Sequence, residues 1–215
     1  MPSMISTIKQ ALKKTFLFDV VVWYRRQSDD LNEIRNQSRA NAYYYSPIHE
    51  LIKDIAAQHS IKVFFETGTY LGNTVYGVKD SFNEVYSVEL SKELAELARE
   101  RFCHDPKVHI INDDSSAAIE TFLGRLDQPA IFWLDAHYSA GVTAKGKLQT
   151  PVKDELESIL SHSVKQHQIL IDDVKDFNGQ NDYPTVEEIF DMVCQFGTGN
   201  YEAKVEGAVF RISPV

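Results

Sequence analysis

Cysteine is nearly absent. Cys103 and Cys194 are too few for a disulfide framework, and their spacing matches no zinc signature. That scarcity fits a reducing, cytoplasmic location. Long apolar runs are missing too. The stretch Phe16 to Tyr24 is nine residues with Asp19 inside it, short of the roughly 20 that a membrane span requires. Lys9, Lys13 and Lys14 resemble the positive region of a signal peptide, but Tyr24-Arg25-Arg26 stands where a small-residue cleavage site belongs. The sequence therefore predicts no integral membrane span. Basic charge is in deficit: 22 Lys and Arg against 31 Asp and Glu give a net charge of −9. Such a field repels phosphates and argues against a nucleic-acid partner. There is no internal repeat and no low-complexity tract. What is present is ordinary globular material, 43% apolar and 25% charged, in a chain of 215 residues that can bury a core without covalent staples.

The charge is unevenly placed. Residues 1–46 carry seven Lys/Arg against four Asp/Glu, a net of +3, so the remainder carries −12. The shift puts a domain boundary near Ser46-Pro47. Ile5, Ile8, Leu12 and Phe16 have helical spacing, and Gln27 to Asn41 is polar. This first segment reads as a helical extension that packs on the main domain or on a homodimer partner. A lid over a substrate site, or a membrane-surface contact, is the alternative. Tyr43-Tyr44-Tyr45 would either dock the segment or stack on a ring.

From Ser46 onward strands and helices alternate. Ser46 and Pro47 open a helix with Ile48, Leu51, Ile52 and Ile55 on one face. Ile61 to Phe65, Glu84 to Val88, Lys107 to Ile111, Ala130 to Leu134 and Gln168 to Ile171 read as five strands. Helices are expected over Asn73–Lys79, from Ser91 with Leu94, Leu97, Ala98 and Phe102 inward, up to Leu123, over Pro151–His162 and over Thr185–Gln195. Residues 200–213 read as two closing strands turning at Gly207. Near-continuous apolar strands, each followed by a helix, predict an α/β fold: a doubly wound, mostly parallel, seven-stranded sheet buried on both faces. Ligands bind beyond the carboxyl ends of such strands. All five parallel strands end in acid there: Glu66, Glu89, Asp113/Asp114, Asp135 and Asp172/Asp173.

Glu66-Thr67-Gly68-Thr69-Tyr70-Leu71-Gly72 joins the first strand to a helix. Its glycines let a ligand approach the backbone. Tyr70 stands where a dinucleotide fingerprint needs glycine, which disfavours an NAD enzyme, and no P-loop lysine follows Gly72. Glu89 ends the second strand, where a carboxylate accepts ribose hydroxyls. Asp114-Ser115 is placed either to reach an adenine edge or to cap a helix.

From about Pro47 to the end this arrangement resembles the class I S-adenosylmethionine-dependent methyltransferases. The Glu66-x-Gly68-x-Tyr70-x-Gly72 loop is similar to that of the catechol O-methyltransferase type, and the acids after the fourth and fifth strands resemble those of the metal-dependent catechol and macrolide-sugar O-methyltransferases. The resemblance implies that S-adenosylmethionine is bound by Glu66, Thr67, Gly68, Thr69, Tyr70 and Gly72 at its methionine part, by Glu89 at the ribose and by Asp114 and Ser115 at the adenine.

Asp135, Asp172 and Asp173 should converge beside the fourth and fifth strands. Three carboxylates together repel one another unless a cation lies between them, and hard oxygen ligands favour Mg²⁺, or else Mn²⁺ or Ca²⁺. The alternative is one helix cap and two hydrated carboxylates. The resemblance implies metal ligation by the same three residues and a small-molecule or sugar hydroxyl as acceptor. The family's lysine base is replaced by Tyr138. His137 beside it is the candidate base, an extra metal ligand or a structural histidine. Asp135 and His137 are thus the catalytic candidates. Lys145 and Lys147 lie in a loop with Gly141 and Gly146 that would close over substrate or stay a surface loop. Two rival functions stand beside this one: a metal-independent methyltransferase with His137 as base, and a non-catalytic S-adenosylmethionine-binding protein.

Overall fold

The computed structural model describes residues 46–135, 150–180 and 182–215. Helix α1 (Pro47–His59) starts where Ser46 accepts a hydrogen bond from the Ile48 N–H and ends where Ser60 turns left-handed at φ 56°. Strand β1 (Val63–Thr67), α2 (Asn73–Val78), β2 (Glu84–Glu89), α3 (Lys92–Arg101), β3 (Val108–Asn112), α4 (Ser115–Leu123) and β4 (Ala130–Leu134) follow. After them come α5 (Val152–Ser161), β5 (Gln168–Ile171), α6 (Val186–Gly197), β6 (Tyr201–Glu206) and β7 (Val209–Pro214). Single 3₁₀ turns cover Lys79–Ser81 and Val174–Asp176.

The seven strands form one sheet in the order β3-β2-β1-β4-β5-β7-β6. The first five are parallel, and β7 runs antiparallel between β5 and β6. Strand order reverses between β1 and β4, which opens a crevice at their carboxyl ends. Successive side chains point to opposite faces, so each strand feeds two cores. Phe65, Phe132 and Phe210 pack with Phe122 of α4, Leu156 of α5 and Ile189 of α6. Phe64, Ile131, Trp133 and Leu170 pack with Ile52 and Ile55 of α1 and Val75 of α2. Each of these large side chains contributes about 1.5–3 kcal/mol by leaving water. Thr185 closes a capping box with Glu188 at the start of α6.

Several expectations shift. Strand β3 runs one residue later than Lys107 to Ile111, and as an edge strand it is only partly buried rather than covered on both faces. The apolar run at β1 begins at Ile61, but pairing begins at Val63; Ile61 is buried ahead of the ladder. Helix α2 stops at Val78, one residue early, and tightens into the 3₁₀ turn. Leu97 is half-buried, because the inward stripe of α3 runs through Leu94, Ala95 and Ala98. Residues 1–45 and 136–149 lie outside the described residues, and with them the helical extension, the tyrosine run, His137, Tyr138, Lys145 and Lys147. Among the described residues no helix is long and apolar enough to cross a membrane.

Two expected outcomes test the packing. Gly77 of α2 faces the buried His49 ring of α1, and a Cβ there would sit well inside contact distance of that ring. Gly77→Ala should therefore destabilise the fold by roughly 1–3 kcal/mol despite its better helix propensity, read as a lower denaturant midpoint. The second outcome concerns His167, buried under β4. The Ala130 N–H donates to its Nδ1 (3.1 Å), and its Nε2 lies 2.9 Å from His162 Nδ1. Burial pushes its pKa down to about 3, with the His162 and Lys165 charges adding to the effect. The unfolded chain takes up this proton near pH 6.5 and the folded one does not, so stability should fall on acidification from pH 6.5 towards 3. His167→Gln should flatten that slope in melting curves.

Candidate functional site

At the crevice, the turn after β1 is a left-handed loop gripped from both sides. Gly68, Tyr70 and Gly72 have φ of 85°, 46° and 71°. The amides of Gly68 and Thr69 donate to Val88 O of β2 (2.9 and 3.1 Å), which carries the ladder past the end of β1. Glu89 Oε2 accepts from the Tyr70 N–H and Oε1 from the Ser91 N–H, both at 2.9 Å. From the other side, Arg101 at the end of α3 donates to Leu71 O and to Asn73 Oδ1 (2.9 Å). Its guanidinium lies over the Tyr76 ring at 5.1 Å. A Cβ at Gly72 would come within 2.7 Å of the Phe102 ring, so this position needs glycine for space as well as for its φ.

Glu66 is buried beneath the loop. Its Oε2 pairs with the Ser87 hydroxyl at 2.5 Å, and Ser87 in turn meets Thr69 Oγ1 at 2.6 Å. Desolvation pushes the Glu66 pKa up to about 8 against the hydrogen bonds from Ser87 and Thr74, with the nearby Asp135 and Glu89 adding to the rise. Burial also raises Glu89, opposed by the amides that bind it.

Beside this loop, the ladder continues to the aspartates. Asp135 N–H donates to Thr67 O (3.2 Å) and Asp172 N–H to Leu134 O (3.1 Å). Asp173 follows in a left-handed conformation at φ 54°. Asp135, Asp172 and Asp173, all partly buried, bring one carboxylate oxygen each within 4.8 Å of one another. Lys175 forms an ion pair with Asp173 at 3.1 Å. The aspartates rim a narrow, solvent-open cleft whose walls include Thr150, Glu155, Phe177 and Tyr183.

No protein-family model and no curated protein sequence matches the chain. Solved structures do. An O-methyltransferase from Bacillus cereus in complex with S-adenosylhomocysteine superposes with a TM-score of 0.60 at 15% identity, over 88% of this chain and 90% of that one. The O-methyltransferase TomG from Streptomyces achromogenes, bound to S-adenosylmethionine, gives 0.60 at 16% identity over 86% and 88%. The S-adenosylhomocysteine-bound methyltransferase PaMTH1 of Podospora anserina gives 0.55 at 16% over 93% and 95%. The chain has the fold of the S-adenosylmethionine-dependent methyltransferases.

In this methyltransferase fold the expected site residues fall into two groups. Glu66, Gly68, Thr69, Tyr70, Gly72 and Glu89 are gathered at the crevice, and Asp135, Asp172 and Asp173 beside it. Three others also make contacts within the fold. Thr67 is fully buried, and its Oγ1 accepts from the Asp135 N–H at 3.2 Å. Asp114 caps α4, its Oδ1 accepting from Ser116 and Ala117 N–H. Ser115 is turned inward and hydrogen-bonds the Glu155 carboxyl. Glu155 itself escaped the sequence reading. In Val152-Lys-Asp-Glu-Leu it looks like the acidic first turn of a solvated helix, yet it is 1% exposed.

The grip of Arg101 is directly testable without any cofactor. In Arg101→Met, hydrogen exchange of amides 68–73 should quicken at least tenfold while β4 and β5 stay protected. Unchanged exchange would show that the loop holds itself.

Proposed function

We propose that the chain is an S-adenosylmethionine-dependent O-methyltransferase that holds a divalent ion, Mg²⁺ by preference, on Asp135, Asp172 and Asp173, and methylates a hydroxyl of a small molecule or sugar. The observation that carries this reading is the gathering of three carboxylate oxygens within 4.8 Å, at the ends of β4 and β5, beside the loop where this fold takes its cofactor. The donor set is oxygen only, which suits a hard divalent cation and offers nothing to a thiophilic one. Such an ion, when bound, supplies Lewis acidity that lowers the pKa of a coordinated hydroxyl.

The chain's own residues supply position and charge. The backbone of 68–72 and the Glu66 carboxyl would hold the methionine part of the cofactor. Glu89, already oriented by two amides, would accept the ribose hydroxyls, and the start of α4 would meet the adenine. Holding an acceptor oxygen and the methyl carbon in line at roughly 3 Å supplies much of the acceleration. His137, two residues past Asp135, is the proposed base. A cytoplasmic location, an acceptor other than nucleic acid, and a residue 1–46 extension that shields the site or joins a homodimer complete the reading.

The ion pair from Lys175 to Asp173 favours a second, metal-free version, in which a lysine offsets part of the carboxylate repulsion. Lys175 is largely exposed, so that offset is screened by water. Calorimetry with S-adenosylmethionine, with and without Mg²⁺, separates the readings. Saturable cofactor binding and Mg²⁺-dependent methylation are expected; absence of cofactor binding would sink the proposal, and full activity in chelator would select the metal-free version. Asp172→Asn should lower Mg²⁺ affinity at least tenfold and leave cofactor affinity within threefold.

A further inference from the structure

Glu155 takes no part in the chemistry above, yet its position is unusual. It stands in the first turn of α5 and lines the pocket rimmed by the three aspartates. Ser115 and Thr67 hydrogen-bond its carboxyl, and Thr67 also holds the Asp135 backbone. Its Oε1 is buried and has no hydrogen-bond partner among the described residues. Among the described residues, the charges that act on it are those of Asp114 and Asp154, both negative. A carboxyl left in this state weakens the fold, because a desolvated oxygen without a donor carries a penalty of roughly 1–3 kcal/mol or more. A helix position that only had to fill the core would be better served by a leucine or a glutamine. Residues that lower stability while facing a pocket are the kind retained for binding.

We propose that Glu155 is an acceptor-binding residue, whose Oε1 takes a hydrogen bond from a further hydroxyl of the substrate, separate from the one methylated. The inference rests on the methyltransferase reading and deepens it. The donor is a neutral hydroxyl rather than an ammonium, since a cation on the neighbouring aspartates would repel an ammonium in the same pocket. Thr150 adds a second polar group to the wall, and Phe177 and Tyr183 add flat apolar surface for the ring that carries the hydroxyls. Selection then works by a buried acceptor left unmet: a vicinal diol with no third donor leaves Oε1 unsatisfied and binds less well.

Two probes built on the same six-membered carbocycle test this by calorimetry on the full chain with Mg²⁺: cis-cyclohexane-1,2-diol, with one vicinal pair, and myo-inositol, with further hydroxyls. S-adenosylhomocysteine is titrated first, and that titration reads the methyltransferase assignment by itself. The ring probes are then compared with or without it. Wild type should bind inositol at least tenfold more tightly than the diol. Glu155→Ala should lose that preference through weaker inositol binding, with diol affinity within twofold. Glu155→Gln keeps a carbonyl acceptor, should retain part of the preference, and should melt no lower than wild type. Equal binding of the two rings by wild type, no inositol binding, or an inositol affinity untouched by both substitutions would overturn the proposal.

Discussion

Like charges crowd one rim of this sheet, in a place where water is scarce, and the surrounding structure answers that repulsion in three different ways. Glu66 and Glu155 are so desolvated that protonation is favoured up to about pH 8. Their contribution to stability is present below pH 4.5 and fades as pH rises through 8, because only the unfolded chain ionises freely in that window. Glu89 is oriented instead by the amides of Tyr70 and Ser91. Asp135, Asp172 and Asp173 remain together, with Lys175 against one of them. A cationic sulfonium cofactor and a divalent ion would each relieve part of what remains.

The rim exists because the sheet is parallel. Five strands end on the same side, and their crossovers place α1 and α2 on one face and α4, α5 and α6 on the other. The crevice opens where the connections leaving β1 and β4 turn to opposite faces of the sheet. The glycine loop there is held by groups from elements other than its own strand: Glu89 at the end of β2 and Arg101 at the end of α3. A loop fixed in this way is arranged before any ligand arrives, which lowers the ordering penalty of binding.

Much of this was legible because buried parallel strands read as apolar runs that stop abruptly. The acid after each run marks the ligand edge, and Ala130–Leu134 and Gln168–Ile171 have the same bounds in sequence and structure. Where apolar character and pairing diverge, the reading slips. Ile61 is buried like a strand residue but lies outside the ladder. Short polar side chains were ambiguous for another reason. Asp114 and Thr67 carry groups that serve a ligand or the backbone equally well, and only the assembled structure shows which amides they accept from.

Sequence by itself determined the strand–helix alternation, the glycine loop after β1 and the acid at each strand end, because these depend on local periodicity and turn chemistry. Tertiary structure decided what those acids meet. Glu155 is the clearest case: on an isolated helix it would be solvated beside Lys153 and Asp154, whereas packing α5 against β1 and β4 strips its water and turns it into a pocket wall. Burial is a property of the assembled layers, so no window of sequence around Glu155 contains it.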